Sequence, residues 1–172
     1  SQKIIRNLLE FSEGNTSKTK ISLDDIVNRT LPMLKTALRS HKVEVQLNSS
    51  SSLIEVEPNL IQQVVFNLVN NASQALKEAG HIHIQTQFKE STPHPTVEFT
   101  IDDSGPGVSQ EIRDKIFAPF FTTKIEGHGT GLGLSFSKSV IEQFGGHIWV
   151  EQSSLGGAKF TFELPIKTNY SE

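Results

Sequence analysis

The sequence predicts an α+β domain with helices packed on one face of a sheet. Three observations carry this. Apolar residues recur at helical spacing over 23–39, over 58–79 and after Gly131. Residues 81–88, HIHIQTQF, alternate apolar and polar, and 96–102, 147–152 and 158–164 read as further strands. Strands and helices mix without strict alternation.

Each element has its own signal. Ile4, Ile5, Leu8, Leu9 and Phe11 give 1–13 an amphipathic helical pattern. Residues 14–19 are small and polar and read as a linker. A helix is expected over 23–39, with Ser22 as its N-cap and a kink at Pro32. Residues 43–47 and 53–56 are short strands on either side of a serine-rich turn. Helix 58–79 follows. The strands 81–88 and 96–102, broken by STPHP, form a hairpin. After residue 103 the chain turns glycine-rich, and a helix follows Gly131. Two last strands flank a turn at Leu155, Gly156 and Gly157.

At 172 residues the chain has the size of one domain of about 150 residues. Sixteen Lys and Arg against nineteen Asp and Glu give a net charge of −3, which argues against a dedicated nucleic-acid binder. The absence of cysteine excludes a disulfide scaffold, a cysteine-ligated zinc site and a catalytic thiol. No run of 18 apolar residues is present, and SQKIIRNLLE lacks the apolar core of a signal peptide.

Three segments carry chemistry. Residues 58–76 contain no charged side chain, yet Asn67, Asn71 and Gln74 share one helical face. Solvated helix faces favour Lys and Glu over Asn. The amides therefore form either a buried network or a ligand stripe, because a neutral carbonyl oxygen suits Mg²⁺ without repelling phosphate. In Asp102–Gly107, Asp103 either ends a strand in a tight turn or accepts a hydrogen bond from an amino group such as that of adenine. Glycines 129, 131 and 133 leave backbone N–H groups free before a helix, which suits an anion, although neither a P-loop nor a Rossmann pattern is present. Between them, Phe117, Phe120 and Phe121 precede Thr122, Thr123 and Lys124. This stretch is either an apolar plug or the anchor of a mobile lid with Lys124 facing phosphate.

In this order the segments resemble the ATP-binding catalytic domain of bacterial sensor histidine kinases, within the GHKL superfamily of gyrase B, Hsp90 and MutL. FNLVNNASQAL is similar to the family's asparagine box, DDSGPGV to its first glycine box, IFAPFFTTK to its phenylalanine box and GTGLGLSFSKSVIEQFGGHI to its second glycine box. GGAKFTFELP resembles its closing strand, and PFFTTK resembles the nitrogen-sensor branch.

The resemblance implies a two-layer α/β sandwich of the Bergerat type, with a mixed, mostly antiparallel sheet. It implies a catalytic domain over 20–168, a lid over about 108–130, and a short tail at 169–172. It makes residues 1–13 the end of a dimerisation hairpin. ATP and Mg²⁺ are the implied cofactors. Asn71 would hold the metal, Asp103 the adenine amino group, and Gly105 and Gly107 would shape the base pocket. Gly129, Gly131, Leu132 and Gly133 would present amides to the phosphates. Thr123, Lys124, Thr130 and Leu134 are counted with them as ATP-binding.

Asn67 is assigned a catalytic and ATP-binding position. ATP-hydrolysing relatives carry a glutamate there, so the amide points to phosphoryl transfer rather than hydrolysis. Gln74 stands where many relatives have Lys, leaving Lys124 or Lys138 as substitutes. Ala158 stands where threonine is common, and no nucleotide role is assigned to it.

None of the six histidines has the setting of a phosphoacceptor, so the acceptor is expected on a separate dimerisation domain of the same protein. The implied partners are that domain and a response regulator, with no nucleic acid. The piece would be monomeric and the full protein homodimeric. The domain would be cytoplasmic, in a parent either membrane-anchored or cytosolic. A serine kinase of the same superfamily and a non-catalytic nucleotide-binding module are the alternatives.

Overall fold

The computed structural model describes residues 17–90, 93–121 and 133–166. The segment 1–13, the stretch 122–132 and the tail 169–172 lie outside them. A five-stranded sheet has the order β2-β4-β5-β7-β6. Its strands are β2 (Lys42–Asn48), β4 (His81–Lys89), β5 (Thr96–Asp103), β6 (His147–Gln152) and β7 (Ala158–Pro165). Only β2 and β4 run parallel; the other neighbours are antiparallel. This is the mixed, mostly antiparallel sheet expected.

Helices α1 (Leu23–Thr30), α2 (Lys35–Leu38), α3 (Pro58–Ala75) and α4 (Gly133–Gln143) accompany it. Their apolar faces meet the inward rows of the strands in one core. On β5 that row is Val97, Phe99 and Ile101, and on β7 it is Phe160, Phe162 and Leu164. Phe99 and Phe162 stack at 5.1 Å between centroids. No helix among the described residues is long and apolar enough to cross a membrane.

The structure adds to or departs from the expected elements in four places. Residues 19–22 are not linker and cap alone: β1 (Thr19–Ser22) pairs antiparallel with β3 (Leu53–Val56) in a separate two-stranded sheet. Ser22 also caps α1, its hydroxyl accepting from the Asp25 N–H at 3.1 Å. The two strands beside the serine-rich turn part company, since β3 joins β1 while β2 lies parallel to β4.

The helix expected over 23–39 with a kink at Pro32 is broken there by a 3-10 turn at Leu31–Leu34, because Pro32 removes a donor and crowds the preceding turn. The helix expected over 58–79 stops at Ala75, and Leu76 is extended with φ −95° and ψ 109°. Lys77, Glu78 and Ala79 favour helix, but Leu76 instead packs against Gly80. A Cβ at Gly80 would meet Leu76 Cδ2 at 2.8 Å and Ser104 Oγ at 2.9 Å.

A buried carboxylate ties α1 to the sheet. Asp24 accepts from the Ser49 N–H at 3.1 Å, the Ser49 hydroxyl at 2.6 Å and the Thr86 hydroxyl at 2.5 Å. Thr86 in turn accepts from the Asn48 N–H at 2.9 Å. Asp24→Ala leaves these donors unsatisfied, at a cost of about 3 kcal/mol. The expected result in a thermal melt is a Tm lower by roughly 6–12 °C; an unchanged Tm would show that water replaces the carboxylate at no cost.

Candidate functional site

Asp103 continues the inward row of β5 past Val97, Phe99 and Ile101, so strand alternation delivers a carboxylate to the helix side of the sheet. It is buried. Its Oδ1 accepts from the Gly105 N–H at 2.9 Å and from the Ala158 N–H at 3.3 Å. Oδ2 has no partner among the described residues. Burial raises the carboxyl above its ordinary range, the two N–H donors oppose that, and the neighbouring Asp102 charge adds to it. Asp102 itself faces the other way and accepts from the buried Ser153 hydroxyl at 2.7 Å.

The amide stripe of α3 runs past this carboxylate. Its C-terminal end abuts the first glycine segment, where a Cβ on Gly105 would stand 3.1 Å from the Ala75 carbonyl. Two turns earlier, Asn67 Nδ2 donates to the Gly133 carbonyl at 3.4 Å, at the start of α4. Gln63 Nε2 donates to Asn67 Oδ1 at 2.8 Å, and Ser137 donates to the same Gly133 carbonyl at 2.8 Å. Asn71 lies midway, about 6 Å along the axis from either contact. Its side chain is half-buried and has no hydrogen bond among the described residues.

Along α3 there is therefore a carboxylate acceptor near one end, the start of α4 two turns earlier and a free amide between them. That arrangement fits a ligand with an amino-bearing ring and an anionic tail. Comparison with known proteins decides what kind of domain this is. Residues 56–168 match the family model of the histidine kinase-, DNA gyrase B- and HSP90-like ATPases. The chain belongs to this ATPase family.

It is similar to the catalytic domain of histidine kinase ThkA, at 33% identity and a TM-score of 0.77, covering 87% of this chain and 96% of that one. It is also similar to ThkA solved in complex with the response regulator protein TrrA, at 28% identity and a TM-score of 0.76, covering 99% of this chain and 48% of that one. The signal transduction histidine-protein kinase AtoS of Escherichia coli strain K12 is 39% identical over 168 residues, which are 95% of this chain and 27% of AtoS. The chain thus spans about a quarter of that relative's length. It is an ATP-binding catalytic domain of the histidine-kinase kind.

Of the kinase-domain residues expected from sequence, Asn67 meets Gly133 where α3 touches α4, Gly105 closes on Asp103 and on the Ala75 end of α3, and Asn71 lies between these contacts on α3. Gly107 stands at the bend after them, with φ +78° in the left-handed region. Leu134 packs partly buried against the core from the first turn of α4. Thr123, Lys124, Gly129, Thr130, Gly131 and Leu132 lie outside the described residues. Lys138, a candidate phosphate contact, is exposed and pairs with Glu142 at 3.7 Å.

The segment expected as a lid is not free throughout. Ile116 and Phe117 are buried, and Phe117 meets Phe160 edge-on at 6.3 Å. Phe120, by contrast, is 69% exposed and holds φ 67°, a strained conformation for a bulky residue.

Two residues that fix the site were not assigned from sequence. The Gly157 N–H donates to the Asp103 carbonyl at 3.0 Å, and a Cβ on Gly157 would fall 2.5 Å from that carbonyl oxygen and 2.6 Å from the Gly105 nitrogen. Ala158, given no role by its side chain, orients Asp103 through its backbone N–H. The consecutive glycines at 156 and 157 were the available signal.

Proposed function

We propose that this kinase domain binds Mg-ATP in the groove between α3 and α4. It then transfers the γ-phosphoryl group to a histidine on a separate dimerisation domain of its own protein, with an aspartate of a response regulator next in line. The observation that carries the reading is the Asp103 carboxylate, with Oδ1 held by two backbone donors and Oδ2 left for the adenine amino group. The complex of ThkA with TrrA supports a response regulator as partner.

The residues present fit one magnesium ion held mainly by phosphates and water. Asn71 offers a single unengaged neutral oxygen, and no group of three acidic or histidine side chains that could cage a metal occurs among the described residues. Bound there, the metal would neutralise phosphate charge. Asn67 acts by position, since its amide joins α3 to the first residue of α4. It has no basicity with which to activate water, which favours transfer to an imidazole, whose own lone pair forms the new P–N bond as the bond to ADP breaks. The N-terminus of α4 and the glycines before it would face the phosphates.

Calorimetric titration with ADP, with and without Mg²⁺, tests the site. Magnesium should strengthen binding to the wild type, and Asn71→Ala should remove about tenfold or more of that gain while barely changing metal-free binding. With γ-labelled ATP, the chain alone should take up no acid-labile label. Label on the isolated chain, or magnesium-dependent binding untouched in Asn71→Ala, would overturn the assignment.

A further inference from the structure

An open groove of about 620 Å³ lies between α1, the Pro32 turn, α2 and the edge strand β2. Leu31, Leu38 and Val43 give it an apolar lining, each half-buried. Lys35 and Arg39, one helical turn apart, stand exposed at its rim beside His41. No carboxylate lines it among the described residues. Neither Lys35 nor Arg39 forms an ion pair among the described residues, in a chain whose net charge is −3. The groove is broad and open rather than enclosed, a form that suits a peptide segment laid along it better than a small molecule. Among the described residues, β2 is an edge strand with no sheet neighbour on its outer side.

We propose that this groove docks an acidic polypeptide segment, with apolar side chains over Leu31, Leu38 and Val43 and carboxylates on Lys35 and Arg39. The occupant's chemistry follows from charge complementarity: two unpaired cations above an apolar floor match alternating acidic and aliphatic residues.

A chain of hydrogen bonds links the walls of the groove to the proposed nucleotide site. Ser73, two residues beyond Asn71 on α3, donates from its hydroxyl to the Ala37 carbonyl of α2 at 2.9 Å. The Gly80 N–H donates to His41 Nδ1 at 3.2 Å. The next residue, His81, exchanges bonds with Ser104, its N–H donating to Ser104 Oγ at 2.9 Å and its carbonyl accepting from the Ser104 N–H at 3.1 Å. Ser104 adjoins Asp103. A segment seated against α2 and His41 therefore shifts nucleotide affinity, a coupling that rests on the function proposed above, whereas the docking itself does not.

The test is selection of random dodecapeptides displayed on phage against the nucleotide-free chain, with Lys35→Glu/Arg39→Glu as the counter-target. Expected are peptides rich in Asp and Glu interleaved with Leu, Ile, Val or Phe, whose affinity for the double variant, read by fluorescence anisotropy, falls by about tenfold or more. The double variant should keep the wild-type Tm and ADP affinity, which separates lost docking from lost fold. No enrichment, peptides without acidic residues, or equal binding to both proteins would overturn the docking site. Tighter binding of the wild type to vesicles containing phosphatidylserine than to any peptide would overturn the polypeptide occupant. A selected peptide that binds but leaves ADP affinity unchanged would overturn the coupling. ADP failing to bind in the absence of peptide would instead count against the nucleotide site.

Discussion

Asp103→Ala is expected to lower ADP affinity by about 10- to 100-fold, the worth of one hydrogen bond to a charged acceptor, with more lost as Gly105 and Ala158 lose their anchor. Asp103→Asn separates geometry from charge. Its carbonyl oxygen can keep the two backbone donors at Oδ1, but its amide nitrogen then replaces Oδ2 and presents N–H to another N–H donor. Binding should fall nearly as far as in the alanine variant while the fold stands.

The pH dependence follows from the same geometry. With Oδ1 committed to two N–H groups, the proton goes to Oδ2, which in the proposed binding mode would then face the adenine amino group as a donor. ADP affinity should therefore decline as pH falls through the raised Asp103 value.

Stability moves the opposite way. Burial raises the folded value above the unfolded one of about 3.9, so the ionised carboxylate costs the empty domain stability above the folded value. That cost is relieved as pH falls toward the unfolded value. Asp103→Asn should thus be as stable as wild type or more so at neutral pH, with the advantage fading in acid. Titration calorimetry and thermal melts across pH 4–8 check both. A variant that loses binding by unfolding, or affinity that ignores pH, would remove Asp103 from the base contact.

Gly157→Ala is the second large effect. A methyl group there overlaps the Asp103 carbonyl and the Gly105 nitrogen, both backbone atoms that cannot swing aside. The β5 and β7 ends must separate, taking with them the N–H of Ala158 that orients Asp103. ADP binding should fall as far as in Asp103→Ala, and the Tm should drop as well because the contact is overpacked by about 1–3 kcal/mol. Gly156→Ala is the control: its φ of +105° strains any side chain, but nothing stands within 4 Å of the added carbon. It should cost stability and spare affinity. Equal loss of affinity in both variants would show that turn strain, not the contact with Asp103, governs the site.

The sequence made legible what is local or periodic. Alternation along 96–102 located β5, and the uncharged amide stripe of 58–76 marked the helix that carries the proposed site. What it hid is tertiary. β1 is four residues long, too short for a period to show, and exists because β3 offers it an edge. The end of α3 is set by Leu76 packing on Gly80, against the helix preference of the next three residues. Strand partners were hidden too, since alternation finds β2 and β3 but not that they join different sheets. Gly157 carries no chemical group, and its importance appears only when β7 lies against β5.

That juxtaposition also fixes an order of events during synthesis. The contact between the Gly157 N–H and the Asp103 carbonyl spans 54 residues, as 157 − 103. Long chain closures are slow steps, because their entropy is lost before the contacts repay it. β7 is the inner neighbour of both β5 and β6, so the sheet cannot close around the carboxylate until it inserts. A ribosome-held chain exposed up to residue 150 carries all four sequence boxes and still lacks the clamp on Asp103. It should be blind to ADP and gain nucleotide protection against proteolysis only once residue 165 has cleared the tunnel. Affinity for ATP is then a report that the last strand is home.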